Sequence, residues 1–211
     1  GRGEGGGGTG AGGGGAVQAP DGSCGTKASG GHRTADCVAP RVRGTGFAHP
    51  RELVPALKAI RGHNMAKAAV EMAAWNLFAM QRGEPLSRVL GGTRDRIASG
   101  GSIGIQPSLD ALAEKVEREL AAGYRRIKIK VKPGWDLKPV EMIRARFGAI
   151  PLMVDANAAY TLADADHLAQ LDRFDLMMIE QPLDYDDIAD HAALQRRLTT
   201  PICLDESIKT I

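Results

Sequence analysis

No stretch of the 211-residue sequence strings together the roughly 18 uncharged apolar residues that a membrane-spanning helix needs, which excludes a transmembrane span. The N-terminus lacks the apolar core of a secretory signal, and a cytoplasmic location is expected. Cysteine is scarce: Cys24, Cys37 and Cys203 are an odd number with no CxxC pair. That argues against a disulfide framework or a zinc site and for a reducing compartment. An excess of one charge is also lacking. The formal net charge is +2, and the first 50 residues, with 5 basic against 3 acidic, account for all of it. A chain-wide basic field for nucleic acid is therefore not present, and no nucleic-acid or membrane partner is expected. What remains, 43% hydrophobic and 25% charged residues, is ordinary globular usage. The length accommodates one large domain or two small ones.

Composition divides the chain near residue 51. Residues 1–50 hold 17 of the 27 glycines, and their sparse apolar residues show no period. Such a stretch cannot bury enough surface to offset its ordering entropy, so a glycine-rich disordered tail is expected there. A phosphate-binding glycine loop would need a strand before it and a helix after it, and neither pattern is visible. From Met65 to Gln81, Met65, Ala69, Met72, Ala73, Leu77 and Met80 recur at helical spacing. An amphipathic helix with its methionines in a core is expected.

Strand and helix patterns then alternate. Short apolar runs occur at Ser102–Ile105, Arg126–Val131, Pro151–Val154, Leu176–Ile179 and Pro201–Leu204. Helical patterns lie between them at about 108–121, 138–147, 161–171 and 187–198. Alternation of this kind implies right-handed crossovers and a parallel sheet. Leu152-Met153-Val154 and Leu176–Ile179 are apolar throughout, as strands buried on both faces read.

The polar residues that end these strands carry the chemistry. Lys130, Asp155, Glu180 and Asp205 recur at intervals of 25 residues. One βα unit of a closed eight-unit barrel uses about 30 residues, so this interval places the four on successive strands around one rim. That rim is the carboxyl-terminal face, where barrel enzymes hold their active sites. Three carboxylates on one rim repel one another unless a cation sits between them. Oxygen-only ligands suit a hard ion, Mg2+ first. Asp155, Glu180 and Asp205 are therefore candidate metal ligands. Asn157 shares the parity of Asp155 and is a candidate for orienting a ligand or binding substrate. Lys128 and Lys130 share parity and point into the barrel. A neighbouring ammonium and a divalent cation would favour a neutral amine, the state of a general base. Taken singly, an acidic strand end is ordinarily a turn former, and RRIKIKVK reads equally as a solvated edge strand. Cys203 reads as packing. His63, His167 and His191 read as solvated side chains on helix surfaces.

The segments RIKIKVKPGWD (126–136), VDANAAYTL (154–162), IEQPL (179–183) and TPICLDESI (200–208) resemble the enolase superfamily, and within it the o-succinylbenzoate synthase and N-acylamino acid racemase group. The resemblance covers about residues 51–211. It implies an α/β fold: a partial (β/α) TIM-type barrel over 96–211, with 51–95 the helical remnant of an α+β capping domain. It also implies a carbon–oxygen lyase that abstracts a proton alpha to a carboxylate and eliminates water, on the menaquinone pathway. Lys130 matches the acid/base catalyst and Lys128 its supporting lysine. Asp155, Glu180 and Asp205 match the Mg2+ ligands, and Glu206 would face outward. The substrate would be a small-molecule carboxylate, and the family's full-length members suggest a homo-oligomer.

Two departures from the family pattern set further expectations. A strand-six lysine would fall near residue 230, past Ile211. Racemisation needs a base on each face of the alpha carbon, so this chain by itself is not expected to racemise. The capping strands would precede residue 51, where no strand pattern occurs. A fragment or mis-joined reading frame, poorly stable and inactive by itself, is expected, since an unclosed sheet exposes two edges.

Overall fold

The computed structural model describes residues 31, 32 and 34–208, arranged in two compact units that divide between Asp95 and Arg96. Residues 1–30 and 33 of the expected tail lie outside the described residues. The rest of it is not tail-like. A π-helical turn at Thr34–Val38 and a helix at Ala39–Val42 precede residue 51, and Val38 packs with Leu57 and Ala66. One buried valine supplies the apolar anchor that composition averaged over 50 residues concealed. The long helix of this unit spans Asn64–Arg82, close to the expected 65–81. His63 and Gly83, both left-handed at φ 53° and 64°, bound it. Its methionine face is not a core: Met72 and Met80 are 50% and 57% exposed. Ala66 and Ala79 are its buried residues, while Trp75 and Phe78 pack edge-on against each other and His49.

The second unit is a five-stranded sheet: β1 (Gly100–Ile103), β2 (Arg126–Lys130), β3 (Leu152–Asp155), β4 (Ile179–Glu180) and β5 (Ile202–Cys203). Strand order follows chain order and every pairing is parallel, so all carboxyl ends share one rim. β1 begins two residues before the expected 102–105, on two glycines. A Cβ on Gly101 would lie 2.8 Å from Glu119 Oε2 and 3.2 Å from Glu119 Cβ, so the glycine lets the strand pass close beneath the Glu119 side chain of the following helix. Pairing around β4 starts where the apolar run predicted: Met177 N–H donates to Leu152 O at 2.8 Å, although the regular ladder is confined to Ile179–Glu180.

Helices Leu109–Ala121, Leu137–Phe147 and Ile188–Gln195 fill the crossovers, started by caps at Ser108, Asp136 and Asp187. The crossover expected as one helix over 161–171 is instead three short pieces, Leu162–Asp164, Ala165–Leu168 and Ala169–Phe174. Asp164 folds back on Thr161 and tightens the first turn; Asp175, left-handed at φ 49°, stops the last. The core lies between sheet and helices. Ile127, Ile129, Leu152, Val154 and Ile179 pack with Leu112, Val116, Val140, Ile143, Leu168 and Leu194. In β2 the isoleucines are buried on that face, so Lys128 and Lys130 stand on the opposite one.

Candidate active site

Strand register brings Lys130 opposite Asp155, and Asp155 opposite Glu180, at the carboxyl ends of β2, β3 and β4. Side chains follow. Lys130 Nζ donates to Asp155 Oδ2 at 2.7 Å. Lys128 Nζ, one row below, donates to Asp155 Oδ2 and to Glu180 Oε1, both at 2.8 Å. The Lys130 ammonium also donates to Asn157 Oδ1. Asn157 N–H donates to Asp155 Oδ1 at 3.1 Å. β3 has ended by then, so Asn157 arrives through a turn at φ 43° rather than by strand parity. Asparagine tolerates that conformation because its short amide bonds locally.

The electrostatics follow from burial and pairing. Burial works to lower the Lys128 pKa, but hydrogen bonds and charges from Asp155 and Glu180 outweigh it, and the amine is held above its ordinary value. Two carboxylates face this amine. Asp155, 1% exposed, would be raised by burial, yet its bonds to Lys128 and Lys130 pull it below the ordinary carboxylate value. Glu180 is raised, first by burial and then by the neighbouring Asp155 charge, which together exceed the pull of Lys128.

Asp205 does not join this group. Glu180 pairs with Cys203, not with residue 205, so the step from β4 to β5 is shorter than the preceding two. Asp205 falls past the end of β5, exposed, with its backbone N–H bonded to Gln181 Oε1 at 2.9 Å. Glu206, expected to face outward, turns in instead. Its Oε1 accepts from Asn157 Nδ2 at 2.8 Å, and its Oε2 is buried without a hydrogen-bond partner. Among the described residues no three His, Cys, Asp or Glu side chains form a complete metal-binding group. The oxygens of Asp155 and Glu180 nevertheless fit a hard cation, since both already bond one cationic group, the Lys128 ammonium.

Several polar residues around the rim carried no sequence signal. Asp136 caps the helix Leu137–Phe147 through Leu137 N–H and accepts from Tyr160 OH and His167 Nε2, both at 2.8 Å. Burial and the Asp136 carboxylate push the Tyr160 phenol far above its ordinary value, so it stays a donor. His167 is therefore partnered, not merely solvated. His191 is 3% exposed: its Nε2 accepts from Leu183 N–H at 3.1 Å and its Nδ1 bonds Asp187 O at 2.5 Å. Its expected surface position is corrected, because the helix Ile188–Gln195 turns that face onto the 181–183 loop. Cys203 is half-buried, with its thiol raised by burial and by the Glu180 and Asp205 carboxylates, in keeping with packing rather than nucleophilic attack.

Residues 111–211 match the family described as enolase C-terminal domain-like. An o-succinylbenzoate synthase of Geobacillus kaustophilus is 54% identical over 179 residues, 85% of this chain and 48% of the relative. An N-succinylamino acid racemase of Thermus thermophilus is 52% identical over 169 residues, 80% of this chain and 46% of the relative. The chain thus spans about half the length of the curated relatives it matches. Among solved structures, an enolase-superfamily member from Listeria innocua superposes with a TM-score of 0.85 at 38% identity, covering 95% of this chain and 54% of that one. A racemase from Streptomyces coelicolor with bound magnesium gives 0.77 at 27% identity, covering 87% of this chain and 55% of that one. The fold is thus that of enolase-superfamily barrel enzymes, about half of whose length the chain covers. No helix among the described residues is long and apolar enough to cross a membrane.

Proposed function

Residues 111–211 belong to the enolase superfamily, and from that membership we propose that the chain carries the proton-abstraction half-site of a Mg2+-dependent lyase of the o-succinylbenzoate synthase type. The observation that carries this reading is the convergence of Lys130, Lys128, Asp155 and Glu180 through bonds of 2.7–2.8 Å at one strand rim. The substrate class is a small carboxylate bearing an alpha proton and a leaving hydroxyl.

Lys130 is the acid/base group. As a free amine it takes the alpha proton; as the resulting ammonium it returns that proton to the departing hydroxyl, releasing water, a syn elimination that balances on one residue. Asn157 Oδ1 accepts from Lys130 and holds its amine in place. Lys128 stands beside the carboxylates and keeps Asp155 ionised. Asp155 and Glu180 would hold Mg2+, with Asp205 the third ligand by resemblance; the ion, when bound, would stabilise the enediolate charge.

N-succinylamino acid racemisation is the second reading, favoured by the 52% identity to the racemase of Thermus thermophilus. It needs a base on the opposite face of the alpha carbon. An inactive fragment of either enzyme is the third. Assay of the chain for o-succinylbenzoate formation with and without Mg2+ tests the first. Activity that Mg2+ supports and Lys130→Ala reduces by about 100-fold or more sustains it. Activity indifferent to Lys130→Ala refutes it, and absence of both reactions favours the fragment.

A further inference from the structure

Gln181 is fully buried at 0% exposure, although glutamine is rarely a core residue. It also sits in the left-handed region at φ 40°, which a side chain bearing a Cβ adopts only when its surroundings hold it there. Its contacts show what holds it. The side-chain Oε1 accepts from Asp205 N–H at 2.9 Å and Ser207 N–H at 3.2 Å. The side-chain Nε2 donates to Leu183 O at 3.1 Å and Ser207 Oγ at 2.7 Å. Two N–H donors face one end and a carbonyl faces the other, so the orientation of the amide is set by its partners. The main chain extends the set: Gln181 N–H donates to Cys203 O, and Ala158 N–H donates to Gln181 O, both at 2.8 Å.

One residue thus joins the three rim segments that follow β3, β4 and β5. The segment after β3 carries Asn157 and the segment after β5 carries Asp205 and Glu206. The Asn157–Glu206 bond of 2.8 Å spans those same two segments. An aliphatic side chain of similar size would fill the space and leave the Asp205 and Ser207 amides without their acceptor. A glutamate would set a carboxylate against Leu183 O.

We propose that Gln181 is a positioning residue, which holds the Asp205–Ser207 segment against the Asn157 turn and so sets where Asp205 and Glu206 lie. Its consequence for metal binding rests on the reading given under Proposed function; the placement of the segment does not. The test compares the unsubstituted chain with Gln181→Met and Ser207→Ala by amide hydrogen exchange and by calorimetric titration with Mg2+. Exchange at Asp205 and Ser207 is expected to quicken by about 10-fold or more in Gln181→Met, with Ile127 and Val154 unchanged. Ser207→Ala, which spares the Oε1 bonds, is expected to change Asp205 exchange by less than about threefold. Mg2+ affinity is expected to fall by about 10-fold or more in Gln181→Met.

Unchanged exchange at Asp205 and Ser207, or equally fast exchange in the unsubstituted chain, overturns the proposal. Unchanged affinity where the unsubstituted chain binds Mg2+ overturns the consequence for metal binding and leaves the exchange result to decide the placement. If neither protein binds Mg2+, the metal reading fails, and the exchange result alone decides for or against Gln181. If Gln181→Met also exposes Ile127 and Val154, the sheet has melted and Ser207→Ala decides. Loss of Asp205 protection in that variant, whose glutamine is intact, then counts against the proposal; retention supports it.

Discussion

Lys130 and Asp155 are partners twice over: they stand opposite each other in the β2–β3 ladder, and their side chains meet at 2.7 Å. The second partnership follows from the first. In a parallel pair, residues opposite each other project to the same face, so a lysine ending β2 and an aspartate ending β3 meet without a special loop. Lys128, two residues earlier, has the same parity and reaches the same oxygen from below. The carboxylate is thereby clamped between two ammonium groups, and the predictions below start from that clamp.

Replacing Lys128 by methionine removes the cation shared by Asp155 and Glu180 while keeping the aliphatic stem. Breaking a fully buried pair costs about 3–5 kcal/mol. The Lys128 side chain is 25% exposed and Asp155 keeps Lys130, so about 1–3 kcal/mol is expected. Urea unfolding of the variant against the unsubstituted chain measures it. No change in midpoint would mean the contacts are not held in solution.

The pH dependence has a sign at each end. Lys128 binds its proton more tightly folded than unfolded, so its contribution is fully present below the ordinary lysine value of 10.5 and is lost as pH rises through the higher folded value. Asp155 binds its proton less tightly folded, so its contribution is present above the ordinary 3.8 and is lost as pH falls through the lower folded value. Glu180 works the other way: with its folded value raised above 4.5, it lends stability only where it is protonated, and that is lost as pH rises through this range. Thermal midpoints across the pH range should therefore decline in strong alkali, and Lys128→Met should flatten that decline.

His191→Leu keeps the bulk of a buried side chain but deletes the acceptor for Leu183 N–H. An orphaned buried amide costs about 1–3 kcal/mol. The loss should appear in denaturant titration, and His191→Gln, which can still accept a bond, should recover part of it.

Asp136→Asn tests the cluster that ties the loop after β2 to the loop after β3. Tyr160 OH and His167 Nε2 both point at Asp136 Oδ2, and an amide can satisfy them less well than a carboxylate. A loss of about 1–3 kcal/mol is expected, with Tyr160→Phe in the same background adding little more. A double-mutant cycle in which the two losses simply add would show that the contacts are independent.

Much of this protein was legible in the order of its residues. Alternating apolar runs and helical periods specify a parallel α/β sheet because strand and helix impose different repeats on what must be buried. The equal spacing of Lys130, Asp155 and Glu180 translated directly into one row, since each crossover between them spends the same number of residues. The same arithmetic failed at Asp205, because the last crossover is shorter and Cys203 takes the place opposite Glu180. Counting along a chain cannot detect that; only the hydrogen-bond register can. Nor can a sequence tell which of two adjacent acids, Asp205 or Glu206, turns inward, since β5 has already ended and the choice falls to a loop held by the Gln181 amide. The burial of Gln181 was hidden for the same reason: it satisfies backbone groups of Asp205 and Ser207, distant in the chain, which come within reach only once the sheet has been assembled; that of His191 was hidden because its partners, Leu183 N–H and Asp187 O, lie in the loop and turn before its helix, whose path the tertiary packing sets.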